Sequence, residues 1–369
     1  MKISESQDQL PLGYYPVDGC RVLIGDCIEQ MRQLQAQSVH CCVTSPPYYG
    51  LRDYGVDGQI GLEPTPEEFI QKLVEVFREV RRVLRDDGTL WINIGDSYAA
   101  NGIPGKSNLA DLGQKYRGGG VKRDTIEKPR KHLTGNLKQK DLLGIPWMLA
   151  FALRADGWYL RQDIIWNKPN AMPESVRDRC TKAHEYMFLL SKSKRYYFDH
   201  ESIKEPANLT GKGNANSFRG GAYVNNSTFD NSAGGKRTVT GNTRSRRDSF
   251  KREGSKREQQ IPGQNYGTHR QERDESAWDL STRNKRSVWN VATRGYKEAH
   301  FATFPPALIE PCILAGCPVG GTVLDPFGGS GTTAGVALAN GRNSILCELN
   351  NEYAELMPSR IKSIYSDAA

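Results

Sequence analysis

The sequence predicts an open, doubly wound α/β sheet with mostly parallel strands, assembled from both ends of the chain. Three observations predict it. Residues 21–43 follow a strand–helix–strand rhythm whose spacing suits parallel strands joined by a right-handed crossover. Several apolar runs end on turn-forming polar residues, at Gly25-Asp26, at Thr44-Ser45-Pro46-Pro47-Tyr48-Tyr49-Gly50, at Gly95-Asp96 and at Asn167-Lys168-Pro169-Asn170. Far downstream, the strand Thr322–Leu324 leads through Asp325-Pro326-Phe327-Gly328-Gly329-Ser330-Gly331 into a helical stretch. Open sheets of this kind hold their ligands at the carboxyl edge of the strands, so these segments are expected to meet there.

The elements follow in order. Residues 1–19 read as a loose lead-in, polar from Met1 to Pro11 and without an apolar signal core. Arg21–Ile24 is a strand, Cys27–Gln35 a helix and Val39–Val43 a second strand. Thr65-Pro66-Glu67-Glu68 forms a capping box with proline at the first helical position. The apolar stripe Phe69, Leu73, Val76, Phe77, Val80 and Leu84 then continues at helical spacing. Asp86-Asp87-Gly88 is expected to stop that helix before the buried strand Thr89–Ile94. Residues 97–140, with Gly118-Gly119-Gly120 at their centre, are too long for an ordinary connection and read as a mobile or functional loop. A helix over Leu142–Ala155, a strand over Tyr159–Trp166 and another over Glu185–Ser191 complete this half, residues 20–198. Residues 200–287 are rich in Asn, Ser, Gly, Arg and Lys, a composition that cannot bury much core. Order returns at Val288, opening a second half over 288–369. It comprises a helix over Pro305–Leu314, the glycine loop, a helix over Thr332–Asn340, a strand over Ser344–Cys347 and a closing helix from about Asn351 to Ile364.

At 369 residues the chain could hold one large domain with an insertion, or two domains. Hydrophobic content is 37%, low enough that part of the chain is not core. Net charge is +8 and the pI about 9.0, which favours a polyanionic partner. Residues 201–290 alone carry 17 Lys and Arg against 10 Asp and Glu, so most of the excess sits in the middle segment. The eight cysteines show no Cys-x-x-Cys pair and no metal-ligand spacing. Several lie in apolar runs, where they act as small hydrophobes, pointing to a reducing cytosol and no metal. No run reaches membrane-spanning length.

Two motifs carry chemistry. Consecutive prolines remove two backbone donors and fix two φ angles, so the loop at Ser45 presents rigid acceptors beside the aromatic Tyr48. That suits a flat ring bearing an amino group, although a plain proline turn has the same residues. The glycine loop lets backbone approach a ligand at a helix N-terminus. Gly331 is followed by Thr332 rather than lysine, unlike a phosphate loop. Glu348, at the tip of the next strand, can accept both hydroxyls of a ribose. Pro311-Cys312 could supply a nucleophilic thiolate, but its neighbours Ile313 and Leu314 make it read as core.

Ser45-Pro46-Pro47-Tyr48 after a strand, with Phe327-x-Gly329-x-Gly331 far downstream, resembles the amino-methylating DNA methyltransferases that use S-adenosylmethionine. The order, catalytic motif first, resembles their circularly permuted beta group. The resemblance covers roughly residues 20–100, 142–198 and 288–365 and implies a Rossmann-like S-adenosylmethionine-dependent methyltransferase fold. It makes Ser45, Pro46, Pro47 and Tyr48 catalytic. Asp26, Phe304, Asp325, Phe327, Gly329, Gly331, Thr332 and Glu348 would bind the cofactor, Asp26 at the adenine amino group and Phe304 at the methionine end. Asn167 and Lys168 would wall the base pocket, and the basic insert 199–287 would recognise the target. Serine in the tetrapeptide resembles the cytosine-N4 subgroup, with adenine-N6 the alternative. RNA or protein-amide methylation, and a DNA-binding protein with a dead site, are the remaining readings. The implied partner is double-stranded DNA, with a companion restriction endonuclease and an orphan or phage enzyme both left open, in the cytoplasm of a bacterial or phage-infected cell. Monomer and dimer stay open.

Overall fold

The computed structural model describes residues 14–51, 53, 55–99, 137–207, 281–293 and 304–367. The centre of the loop expected over 97–140, most of the insert expected over 199–287 and the first thirteen residues lie outside them. Two compact units are present: Met1–Lys204 with Asn284–Ala369, and Glu205–Arg283.

In the larger unit, β1 (Tyr14–Val17) and β2 (Cys20–Ile24) form a hairpin. Then come α1 (Cys27–Arg32), β3 (Val39–Thr44), α2 (Pro66–Val83), β4 (Leu84–Ile94), α3 (Ile145–Ala155), β5 (Tyr159–Asn167) and β6 (His184–Ser191). The smaller unit contributes β7 (Glu205–Pro206) and β8 (Thr282–Arg283), paired antiparallel with Arg283 bonded to Glu205. The larger unit resumes with β9 (Val288–Asn290), α4 (Pro306–Gly316), β10 (Thr322–Asp325), α5 (Thr332–Ala339), β11 (Asn343–Glu348) and α6 (Asn351–Asp367). Its nine strands form one sheet in the order β1-β2-β11-β10-β3-β4-β6-β5-β9. The run from β2 to β4 is parallel, as is β5 with β9, while β1 and β6 are antiparallel to their neighbours.

Alternation along the strands sorts the core into two faces. Cys42, Leu90, Ile92, Phe188, Leu190 and Leu324 pack under α1, α2 and α3. Cys41, Val43, Trp91, Met187, Leu189 and Val323 pack under α4 and α5. The sheet is therefore covered on both sides, as its near-continuous apolar strands require. Thr65 caps α2 by accepting from the Glu68 N–H at 3.1 Å. Arg82, in its last turn, donates to the Met31 and Leu34 carbonyls and ties α2 to the exit of α1. Cys312 is fully buried in α4 and burial pushes its thiol well up, as packing rather than nucleophilic chemistry demands.

Three expectations are corrected. Part of the lead-in is the edge strand β1. The chain passes from helix to strand at Leu84, before Asp86-Asp87-Gly88, and a register shift beside β3 places exposed Arg85–Asp87 out of the regular ladder. Val288, expected to open the second half, instead pairs β9 with β5 at the far edge of the sheet.

At Gly316, where α4 meets the sheet, an added Cβ would lie 2.5 Å from Thr89 Oγ1 and 2.8 Å from both Cys41 Sγ and Trp91 Nε1. All three neighbours are buried. Gly316→Ala should therefore lower stability by about 1–3 kcal/mol, read from urea unfolding. An unchanged midpoint would show that this contact yields freely.

Candidate active site

The carboxyl ends of β2, β11, β10, β3, β4 and β5 surround one cavity of about 690 Å³. On one side lie the turn after β2 and the loop between β10 and α5. Asp26 caps α1, its Oδ1 accepting from the Ile28 N–H at 2.9 Å and the Glu29 N–H at 3.0 Å, and it borders the cavity while doing so. Glu348 is 9% exposed and spans the corner. Its Oε2 accepts from the Gly329 N–H at 2.7 Å and its Oε1 from the Asn350 N–H at 2.9 Å. Each oxygen keeps a lone pair for a ligand. Burial outweighs those two bonds and raises the carboxyl to about 7.

Asp325 joins this corner to the other. It is 1% exposed, and its carboxylate meets three donors. Oδ1 accepts from Thr44 Oγ1 at 2.6 Å and from the Phe327 N–H at 3.0 Å, and Oδ2 accepts from Thr333 Oγ1 at 2.6 Å. Thr44 immediately precedes Ser45 and lies 281 residues away in sequence. Burial raises the Asp325 carboxyl against the pull of its donors.

The opposite wall is Ser45-Pro46-Pro47-Tyr48. Tyr48 lies against Gly95, where a Cβ would sit 2.7 Å from the ring, so only glycine admits the ring there. Its hydroxyl donates to Glu185 Oε2 at 2.8 Å. Glu185 also pairs with the Lys168 ammonium, which lies 4.2 Å from the centre of the Trp166 ring, and accepts from Asn93 Nδ2 at 3.3 Å. Burial and the Glu185 carboxylate hold the Tyr48 phenol well above its ordinary value. Lys182 donates to the Asp96 carbonyl at 2.7 Å, and burial lowers its ammonium.

Ser45, Pro46, Pro47, Tyr48, Asp26, Phe304, Asp325, Phe327, Gly329, Thr332, Glu348 and Lys168 all border the cavity. Two expected residues do not. Asn167 donates to Asn290 Oδ1 at 2.7 Å across the β5–β9 ladder, because neighbouring residues at a strand end face opposite ways. Gly331 instead backs onto α6, its Cβ position 3.1 Å from Ile361. Sequence reasoning passed over Asn93 and Glu185, although an amide near the tip of the apolar run Leu90–Ile94 was a legible signal.

A family model for DNA methylases, covering N6 and N4 enzymes, matches residues 39–358. The type II methyltransferase M.SmaI of Serratia marcescens is 42% identical over 342 residues, 93% of this chain and 90% of its own. M.Cfr9I of Citrobacter freundii is 41% identical over 350 residues, 94% and 89% of the two chains. The solved structure of the PvuII DNA methyltransferase, described as cytosine-N4-specific, shares the fold at a TM-score of 0.53 and 15% identity, covering 95% of this chain and 92% of its own. The chain thus has the Rossmann-like methyltransferase fold and belongs to the N6/N4 DNA methylases, the amino-methylating DNA methyltransferases.

Proposed function

We propose that this enzyme moves a methyl group from S-adenosylmethionine to the N4 amine of a cytosine turned out of duplex DNA. The observation that carries the reading is the shared cavity, which sets Ser45-Pro46-Pro47-Tyr48 opposite Phe327 and Glu348. The residues fit the cofactor. Ser330 Oγ and Thr332 Oγ1 are buried at the cavity without a hydrogen-bond partner among the described residues, so a polar ligand there answers an existing deficit. Glu348 would accept the ribose hydroxyls, Asp26 the adenine amino group, and Phe327 and Phe304 would pack on the ligand. Bound S-adenosylmethionine supplies an electrophilic methyl group.

The chain's task is then to make a poor nucleophile attack. The amine lone pair is delocalised into the base. Ser45 Oγ and the Pro46 carbonyl accept its two hydrogens and draw them out of the ring plane, which localises the lone pair toward the methyl group. Methyl transfer from the bound donor would leave its thioether behind, and the surplus amine proton would leave to water. Catalysis here is positioning and preorganised polarity. Tyr48 stacks on the base. Turning the base out costs a few kcal/mol, and stacking returns about 1–3 kcal/mol, so phosphate contacts must supply the affinity. We assign those, and target reading, to the basic segment 199–287. We further assign a companion restriction endonuclease and a cytoplasmic setting.

Digesting methylated DNA to nucleosides and weighing them should yield N4-methylcytosine, with Ser45→Ala lowering turnover by about a hundredfold. Methyladenine alone would overturn the base assignment, and unchanged turnover the role of Ser45. Donor affinity should also depend on pH. Glu348 accepts hydroxyls as a carboxylate and titrates near 7, so affinity rises with pH. Calorimetry should find binding about tenfold weaker at pH 6 than at pH 8, with Glu348→Gln removing the slope. A flat profile in the parent would contradict this use of Glu348.

A further inference from the structure

A serine hydroxyl can donate or accept, and only a Ser45 that accepts can hold an amine hydrogen. Asn93 decides which. It is 2% exposed, near the end of β4, and its amide has partners on both sides. Nδ2 donates to the Tyr186 carbonyl at 3.1 Å and to Glu185 Oε2 at 3.3 Å. Neither a carbonyl nor a carboxylate can donate, so the nitrogen must lie on that side and Oδ1 on the other. Oδ1 then faces Ser45 Oγ at 3.4 Å and Tyr48 Oη at 3.3 Å. Tyr48 has one proton, and the charged Glu185 at 2.8 Å takes it.

We propose that Asn93, its amide oriented by Glu185 and the Tyr186 carbonyl, is a positioning residue that takes the Ser45 proton and leaves the Ser45 lone pairs for the target amine. The device lets a neutral hydroxyl act as a one-way acceptor without a carboxylate in the tetrapeptide. Asn93 borders the cavity and, in this inference, acts through Ser45. The inference rests on the function proposed above.

The test is a double-mutant cycle in single-turnover methyl transfer with labelled donor, run on the full chain with duplex DNA. Asn93→Ala should lower the transfer rate about tenfold while the DNA Kd stays within about twofold. In the Ser45→Ala background the same change should cost almost nothing, since no hydroxyl remains to be oriented. Asn93→Asp would set a second oxygen against Glu185 and the Tyr186 carbonyl, so it should not rescue the loss. An equal loss from Asn93→Ala in both backgrounds would show a merely structural role and overturn the inference, as would an unchanged rate. If Ser45→Ala is too slow to follow, the same pair of outcomes is read in a Ser45→Asp background, where a carboxylate accepts without an orienting partner. Failure of the parent reading looks different, because Ser45→Ala itself would then leave transfer untouched.

Discussion

The structure depends on the Asp325 carboxylate. Its three neighbours are all donors, and they belong to the strand before the catalytic loop, the turn of the glycine loop and the first turn of α5. Hydrogen bonds to a charged group contribute about 1.5–3 kcal/mol each, while burying a carboxylate costs several kcal/mol. The two effects are of similar size, so the tie adds little net stability. What it fixes is geometry: Thr44 and Thr333 must sit within 2.6 Å of one carboxylate, which locks the Ser45 loop against the glycine loop. Asp325 was expected to bind cofactor. It borders the cavity, but its acceptor sites are mostly spent on the chain itself.

A second carboxylate organises the opposite wall. Glu185 gathers Tyr48, Asn93 and Lys168 from three different strand ends. One carboxylate thus holds the Tyr48 hydroxyl, orients an amide and anchors an ammonium. The division of labour is economical: Asp325 sets the distance between the halves, and Glu185 sets the orientation of groups within one half.

Much of this was legible in the residues. Thr65-Pro66 and the stripe after it describe α2 almost to the residue, and parallel strands ending on polar turns describe one active edge. Glu185 was missed for a physical reason. β6 runs antiparallel to β4 and β5, so it enters the sheet at the active edge and its first residues, not its last, lie there. A search confined to strand ends overlooks strand beginnings. Asn167 failed by parity, since one residue along a strand turns a side chain to the other face, and Lys168 took the cavity instead. β1 and β9 are short edge strands whose existence depends on neighbours supplied by distant parts of the chain.

A crystal structure of the chain with S-adenosylmethionine bound tests the central claim most directly, namely that the Asp325 tie sets the cofactor loop against the catalytic loop. The account predicts both ribose hydroxyls at about 3 Å from Glu348 and the sulfonium methyl aimed at Ser45, with the Thr44–Asp325 bond intact. A donor seated elsewhere, or one whose methyl group turns away from Ser45 while that bond holds, would contradict it.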